Sequence, residues 1–248
     1  MERRRRSDHL TIKTMKLKHG KKYRELVKLV EKKPYTLDEA VALLKKTSPT
    51  KFDASCEVHF NLSLDTKQAD QNIRTTAALP HGTGKDVCVV AFVGEDQVKE
   101  AKSAGASEAG TDNLIEKIEK GWTDFDVAVA TPDQMKALSK IAKILGQKRL
   151  MPSPKAGTVG PDFAKIIGEL KKGKIELRVD KDGNLHNIFG KVSFTEQNLK
   201  ENLKTVIKTV LEAKPASSKG NYMNSLTVTT TMGPGIRVDI SKAVAESK

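Results

Sequence analysis

Residues 226–235 read LTVTTTMGPG. Alternation along an extended chain places Leu226 and Val228 on one face and Ser225, Thr227, Thr229 and Thr231 on the other. The second face is a ladder of hydroxyls that ends in Met232 and a Gly233-Pro234-Gly235 turn. Such a ladder can donate and accept hydrogen bonds along a polar ligand. The same pattern also describes a solvated sheet face rich in strand formers. The rest of the chain has to decide between them.

Catalytic motifs do not account for the chain. LPHGTGKD, residues 79–86, ends in GK like a phosphate-binding loop, but Leu79 stands where the first glycine of GxxxxGK[ST] belongs. Asp86 replaces the magnesium-binding hydroxyl, and the loop precedes its strand instead of following it. FVGEDQVKEA holds a single glycine, so no dinucleotide fingerprint follows that strand. The five histidines are scattered, and each, His81 included, reads as a turn or core residue. Cys56 and Cys88 form no CxxC and sit beside no histidine cluster, which argues against a disulfide framework and against zinc. A reducing compartment, no metal and no cofactor are expected. An α/β metabolic enzyme therefore ranks as an alternative without a site.

Charge points to a polyanion. The net charge of the 248 residues is +13. Residues 1–34 hold 13 Lys and Arg against 4 acids and residues 174–248 hold 12 against 8, whereas the segments between them are nearly balanced. Both ends are thus suited to a nucleic acid. No apolar run reaches the roughly 18 residues of a membrane span, and MERRRRSDHL lacks the apolar stretch of a secretory signal. A cytoplasmic protein with no membrane partner is expected. Aromatic residues make up only 4% of the chain, too few for the stacking platforms that hold single strands, and no RNP1 pattern occurs. Structured RNA read by shape fits better. A general basic RNA chaperone is the remaining alternative; it would bind unrelated RNAs equally at a given salt concentration.

Two styles of element position these residues. Thr36 with Glu39 forms a capping box before a helix through Leu43 and Leu44. Phe52, Ala54, Cys56, Val58, Phe60 and Leu62 alternate with polar residues as a half-buried strand, a parity that also gives Phe52 a core reading. Ile175, Leu177 and Val179 alternate next, and Asp182-Gly183 marks a hairpin turn toward a partner strand over 185–192. Thr195 caps a helix carrying Leu199, Leu203, Val206, Ile207 and Val210, with Phe194 and Leu199 placed as a hydrophobic staple. The LTVTTT strand completes an antiparallel sheet with helices on one face. Between these parts lies a different pattern, opened by the near-continuous apolar strand 87–93 and followed by alternating helices and strands over 98–104, 114–118, 127–130, 135–144 and 163–170. Thr131, Pro132 and Gln134 supply capping signals there. The expected fold is a discontinuous α+β split-sheet domain, residues 1–82 and 174–248, with an inserted α/β three-layer, Rossmann-like domain over 83–173. A hinge is expected where the chain crosses twice, at Gly82, Thr83, Gly173 and Lys174.

The stretches KFDAS, ADQNIRTTAALPHGTGK, GWTDFDVAVATPDQM, ILGQKRLMPSPKAGTVG, DKDGNLHNIFGKVSF, AKPASSKG and TTTMGPG occur in the order and spacing of one family. Over roughly residues 18–240 the chain resembles the L-one family of large-subunit ribosomal proteins, which belong to the mobile stalk beside the exit tRNA site. Gln147-Lys148-Arg149 replaces the proline-arginine-glycine usual in the family, Ser153 replaces asparagine, and Ala54 stands where an acid is common. The arginine-rich residues 1–17 extend beyond the family core.

The resemblance implies a protein that is monomeric when free and binds large-subunit ribosomal RNA on the ribosome. It further implies assistance in the release of deacylated tRNA from the exit site and repression through a mimic of the rRNA site in the protein's own mRNA leader. Carried onto this chain, the implied RNA-binding residues are Lys51, Phe52, Ser55, Asp180, His186, Lys191, Lys219, Ser225, Thr229, Thr231, Met232 and Gly233. The residue types suit that chemistry independently. Hydroxyls of Ser225, Thr229 and Thr231 and the backbone at Gly233 can bond ribose 2′-hydroxyls and phosphates, Lys51 and Lys191 supply cations, and Met232 packs on a sugar or base surface.

Overall fold

The computed structural model describes residues 20–218 and 220–247. In chain order its elements are α1 (Lys21–Leu29), α2 (Leu37–Lys46), β1 (Ser55–Leu62), β2 (Arg74–Ala78), β3 (Val89–Phe92), α3 (Val98–Ser103), β4 (Glu108–Gly110), α4 (Asp112–Glu119), β5 (Val127–Ala130), α5 (Met135–Leu138), α6 (Ala142–Gln147), α7 (Phe163–Lys171), β6 (Lys174–Arg178), β7 (Asn184–Lys191), α8 (Glu196–Glu212), β8 (Met223–Thr230), β9 (Ile236–Val238) and α9 (Ile240–Ser247). The basic extension over 1–17 lies outside the described residues. No described helix is long and apolar enough to cross a membrane.

The alternating residues of β1 bury every second side chain, and that strand pairs antiparallel with β7 on one edge and β8 on the other. Adding β9 gives the order β7-β1-β8-β9. One face of this sheet presents Val58, Phe60, Leu185, Leu226 and Val228 to a core closed by Leu37, Val41 and Leu44 of α2 and Leu199, Leu203 and Val206 of α8. Both helices start where the sequence places their caps: the Thr36 hydroxyl accepts from the Glu39 amide while Glu39 accepts from the Thr36 amide, and the Thr195 hydroxyl accepts from the Asn198 amide. Phe194 and Leu199 both pack over Gly190, where an added Cβ would fall 2.6 Å from the leucine side chain. Among the described residues no helix covers the other face of the sheet.

The turn expected at Asp182-Gly183 forms, with the Asp180 amide donating to the Asn184 carbonyl at 2.8 Å, but the ladder beyond it is a single antiparallel bridge between Val179 and Leu185. β6 itself pairs along its length with β2 in a separate two-stranded sheet. The Asp180 carboxylate accepts from the amides of Asp182 (2.9 Å) and Asn184 (2.7 Å), closing the turn on itself, and the Asn187 side chain takes the Glu176 carbonyl.

Residues 87–170 build a parallel sheet in the order β4-β3-β5. All four residues of β3 are buried because the sheet is covered twice. Val90 and Phe92 meet Leu114, Ile118, Leu138 and Leu145 on one side, and Val89 and Ala91 meet Ala101, Phe163 and Ile167 on the other. The single helix expected over 135–144 is broken, since four successive i to i−3 bonds from Ser139, Lys140, Ile141 and Ala142 tighten the chain between α5 and α6. Thr131 precedes a single turn, Pro132–Gln134, and makes no side-chain cap bond.

The chain leaves and re-enters the antiparallel part at one place. Gly82 and Gly173 both have positive φ, and a Cβ on Gly173 would collide with the Gly82 backbone. The fully buried Asn202 of α8 donates to the carbonyls of Gly82 and Phe189, both at 2.9 Å, and accepts from the His81 amide. This amide ties the first crossing to β7. Thr83 accepts from the Lys85 amide, and Lys174, the first residue of β6, is paired with Glu169 at 2.9 Å.

α6 ends in a Schellman turn: the Leu150 amide donates to Leu145 and the Arg149 amide to Gly146, with Arg149 at φ 60. A glycine suits that position, and an L side chain there costs about 1–2 kcal/mol. Arg149→Gly is therefore expected to stabilise the chain by about 1 kcal/mol, read as a higher urea midpoint; an unchanged or lower midpoint would contradict this account of the turn.

Candidate nucleic-acid interface

The open face of the four-stranded sheet holds three rows of side chains, aligned by register. Asn184, Asn61 and Ser225 form the first, His186, His59, Thr227 and Arg237 the second, and Ile188, Glu57 and Thr229 the third. The hydroxyl ladder read from the sequence thus exists, over the buried Leu226 and Val228. Amides continue it sideways, with Asn224 donating to Asn61 at 3.1 Å and Asn61 to Asn184 at 2.7 Å.

Two of the hydroxyls are already engaged. Thr229 Oγ1 lies 3.1 Å from the Gly233 carbonyl and 3.2 Å from that of Pro234, so its single hydrogen latches the glycine-proline-glycine turn. Thr231 Oγ1 approaches Glu57 Oε1 at 3.3 Å and the Ser55 carbonyl at 3.4 Å. Their hydrogens are thus committed to groups of the protein itself, and the oxygen lone pairs remain for an incoming donor such as a 2′-hydroxyl.

Met232 stands at the end of this ladder in an uncommon conformation. The Gly233 amide donates to the Thr230 carbonyl at 2.7 Å, closing a turn whose third residue, Met232, has φ 68. That position normally selects glycine or asparagine. Its side chain is nonetheless 72% exposed. Gly233 cannot carry a side chain, because a Cβ there would strike the Thr230 hydroxyl and lie 3.4 Å from the Thr47 carbonyl at the end of α2. The Thr230 hydroxyl itself is buried without a hydrogen-bond partner among the described residues. Cys56, opposite Thr230, is buried too, and burial pushes its thiol up to about 12, which keeps it protonated and inert.

Phe52 is 61% exposed. The core reading its parity suggested is overturned: β1 begins only at Ser55, so Phe52 lies on the bend before the strand, and Thr50 Oγ1 donates to its carbonyl. With Met232 and Ile188 it makes three of the five large apolar side chains exposed among the described residues. Ser55 pairs with Lys191 and accepts from the Thr231 amide, so these parts meet at one end of the sheet. Lys191 Nζ lies 4.0 Å from Asp53, whose carboxylate also holds Ser193, and Lys51 is exposed beside Phe52.

Asp180 and His186 sit at the far edge. Burial pushes the Asp180 carboxyl up, but the amides of Asn184 and Asp182 outweigh it and hold the group below its ordinary value, so the side chain organises the turn. His186 Nε2 is 3.7 Å from it. Lys219 lies outside the described residues. His59 and Glu57, absent from the sequence-derived set, occupy the middle of the face. His59 Nδ1 lies 2.9 Å from His186 Nδ1, so the turn or core role read for these histidines is corrected to a surface one. The signal was present in the sequence: His59 shares parity with Glu57 and Asn61, opposite to buried Val58 and Phe60.

The chain is similar to known proteins over most of its length. Residues 44–234 match the model of the Ribosomal protein L1p/L10e family. The Large ribosomal subunit protein uL1 of Fervidobacterium nodosum is 50% identical over 233 residues, 93% of this chain and 99% of that protein. The protein of the same name from Thermosipho africanus is 50% identical over 224 residues, 90% of this chain and 97% of its own length.

Gly233→Ala is expected to cost about 1–3 kcal/mol, since the new methyl must displace Thr230 or the end of α2. Urea unfolding measures it, and an unchanged midpoint would show that the turn is looser than this packing requires.

Proposed function

The chain belongs to the ribosomal protein L1 family, and from that premise we propose that the open face of its four-stranded sheet binds folded large-subunit ribosomal RNA. The chain is a structural, non-enzymatic constituent of the large ribosomal subunit, acting in the cytoplasm on the ribosome. The single observation that carries the RNA reading is Met232, exposed and held at φ 68 at the end of a ladder of outward-facing oxygens. Backbone strain at a solvent-exposed apolar residue does nothing for stability, whereas a ligand surface gives it a use. The face is poor in aromatics and rich in acceptors, which suits the minor groove and 2′-hydroxyls of structured RNA.

The same reading makes residues 1–82 and 174–248 one RNA-binding domain and residues 83–173 an inserted α/β domain that swings on the Gly82–Gly173 crossing. Two positive-φ glycines in backbone contact support it, since few other residues fit there. In this role the free protein is a monomer, the inserted domain moves with the stalk to assist release of deacylated tRNA from the exit site, and the sheet face also binds a mimic of its rRNA site in the protein's own mRNA leader.

Two experiments test this reading. Aspartate tolerates left-handed backbone better than most residues, so Met232→Asp should fold while placing a charge against the RNA. Its affinity for large-subunit rRNA should fall by about tenfold or more, on the order of 1.4 kcal/mol, with the urea midpoint little changed; full affinity would refute the face. Replacing residues 83–173 by a short Gly/Ser linker should leave a soluble, cooperatively melting protein that still distinguishes large-subunit rRNA from a scrambled sequence. If it folds but loses that distinction, recognition lies between the two domains.

A further inference from the structure

Across the middle row of the open face runs a chain of four titratable groups. Glu57 Oε2 lies 3.7 Å from His59 Nε2, His59 Nδ1 lies 2.9 Å from His186 Nδ1, and His186 Nε2 lies 3.7 Å from Asp180 Oδ2. The rings meet edge to face with centroids 5.0 Å apart. Each of the three approaches is attractive only with a proton on the imidazole nitrogen. Two neutral imidazoles bring two protons, so one nitrogen lone pair is left facing a carboxylate. A third proton completes the chain, and a fourth would break the contact between the rings.

In the free protein His59 takes up that third proton less readily than an ordinary histidine. Burial, and then the neighbouring His186, push His59 below its ordinary value, and Glu57 only partly opposes them. The other charged groups around the pair are of both signs. Arg237 of β9 lies on the same face beyond Thr227, while Lys181 and Asp182 of the turn, Glu176 and Arg178 of β6, Arg74 of β2, which pairs with Glu176, and Arg149 after α6 line the cleft beside His186. A phosphate brought onto this face changes the balance. It adds the negative charge that favours imidazolium, and the third proton in turn offsets one of the two carboxylates that would otherwise repel the phosphate.

We propose that His59 and His186 form a proton-linked binding element for a phosphodiester of the bound RNA, which docks over the pair together with one proton. The proposal rests on the rRNA reading above and extends it to His59 and to a pH dependence. Affinity then rises as pH falls through the value the pair has in the complex, and levels off once the free pair is itself protonated.

The test is equilibrium binding of the full chain to in vitro transcribed large-subunit rRNA and to a scrambled RNA of equal length, at fixed salt, from about pH 8 to about pH 5.5, a range that spans the ordinary histidine value. The wild type should gain affinity for the rRNA by up to about tenfold per pH unit, the limit for one proton. His59→Gln and His186→Gln, both at solvent-facing positions and checked for folding by circular dichroism, should each lose that slope. Calorimetry in two buffers of different ionisation enthalpy should show uptake of about one proton by the wild type. A wild type that discriminates the rRNA with a flat pH profile overturns the coupling alone, as does a slope that survives in both variants. A wild type that fails to discriminate at every pH overturns the rRNA reading and the proposal with it.

Discussion

Every feature of the candidate interface depends on β1 being hydrogen-bonded along both edges. Its partners, β7 and β8, lie more than a hundred residues away, so the sheet exists only if the chain over 83–173 returns to where it left. Gly82 and Gly173 make that return possible, because their backbones touch at a distance no Cβ would allow. Asn202 then fixes the outgoing strand of the crossing to the β7 carbonyl at Phe189, joining the crossing to the sheet it serves. A fully buried amide with three good partners is a rigid joint, and any truncation would leave two carbonyls and an amide unpaired. The position from which the intervening segment departs is thus set by the same residues that align the rows of the open face.

Those rows are presented in an engaged state. Thr229 and Thr231 donate to groups of the protein itself, the asparagines bond one another, and the two histidines share a contact, so few side chains need to be ordered when a ligand arrives. Preorganisation of this kind lowers the entropic cost of binding. The stability it forgoes is concentrated at one end, in the left-handed Met232 and the unpartnered Thr230 hydroxyl beneath it. Both belong to the turn that Thr229 latches and that the end of α2 abuts at Thr47, so the strained residue is held from two sides.

Much of this was legible in the sequence where a single period governs a segment. The period of two in β1 and β8 gave the sheet faces, the capping residues Thr36 and Thr195 gave the helix starts, and the continuous apolar run gave β3. What was not legible arose where local hydrogen bonding overrode the period. Asp180 closes its turn with its own carboxylate, while β6 pairs with the distant β2, a choice of partner that alternation cannot reveal. Phe52 continues the parity of β1, but the strand starts three residues later, so its side chain escapes the core. Cross-strand meetings such as His59 with His186 depend on register between distant segments, and no single stretch encodes them. Arg149 shows the opposite case, in which the departure from the family glycine was visible and the structure supplies its meaning as an L side chain in a left-handed helix cap.

The distribution of charge separates two tasks that a basic protein is often assumed to combine. The excess of Lys and Arg lies at the two ends of the chain, above all in the first 34 residues. On the open face itself Glu57 and Asp180 stand against Arg237 and Lys191, and Lys191 is close to Asp53. A face so nearly balanced attracts a polyanion weakly at long range, and its selectivity must come from matching donors, acceptors and shape at contact. Long-range attraction is then left to the termini, where it is sequence-independent and sensitive to salt. The histidine pair sits where the two tasks meet, since its protonation changes the local charge of a surface otherwise built from neutral hydrogen-bonding groups.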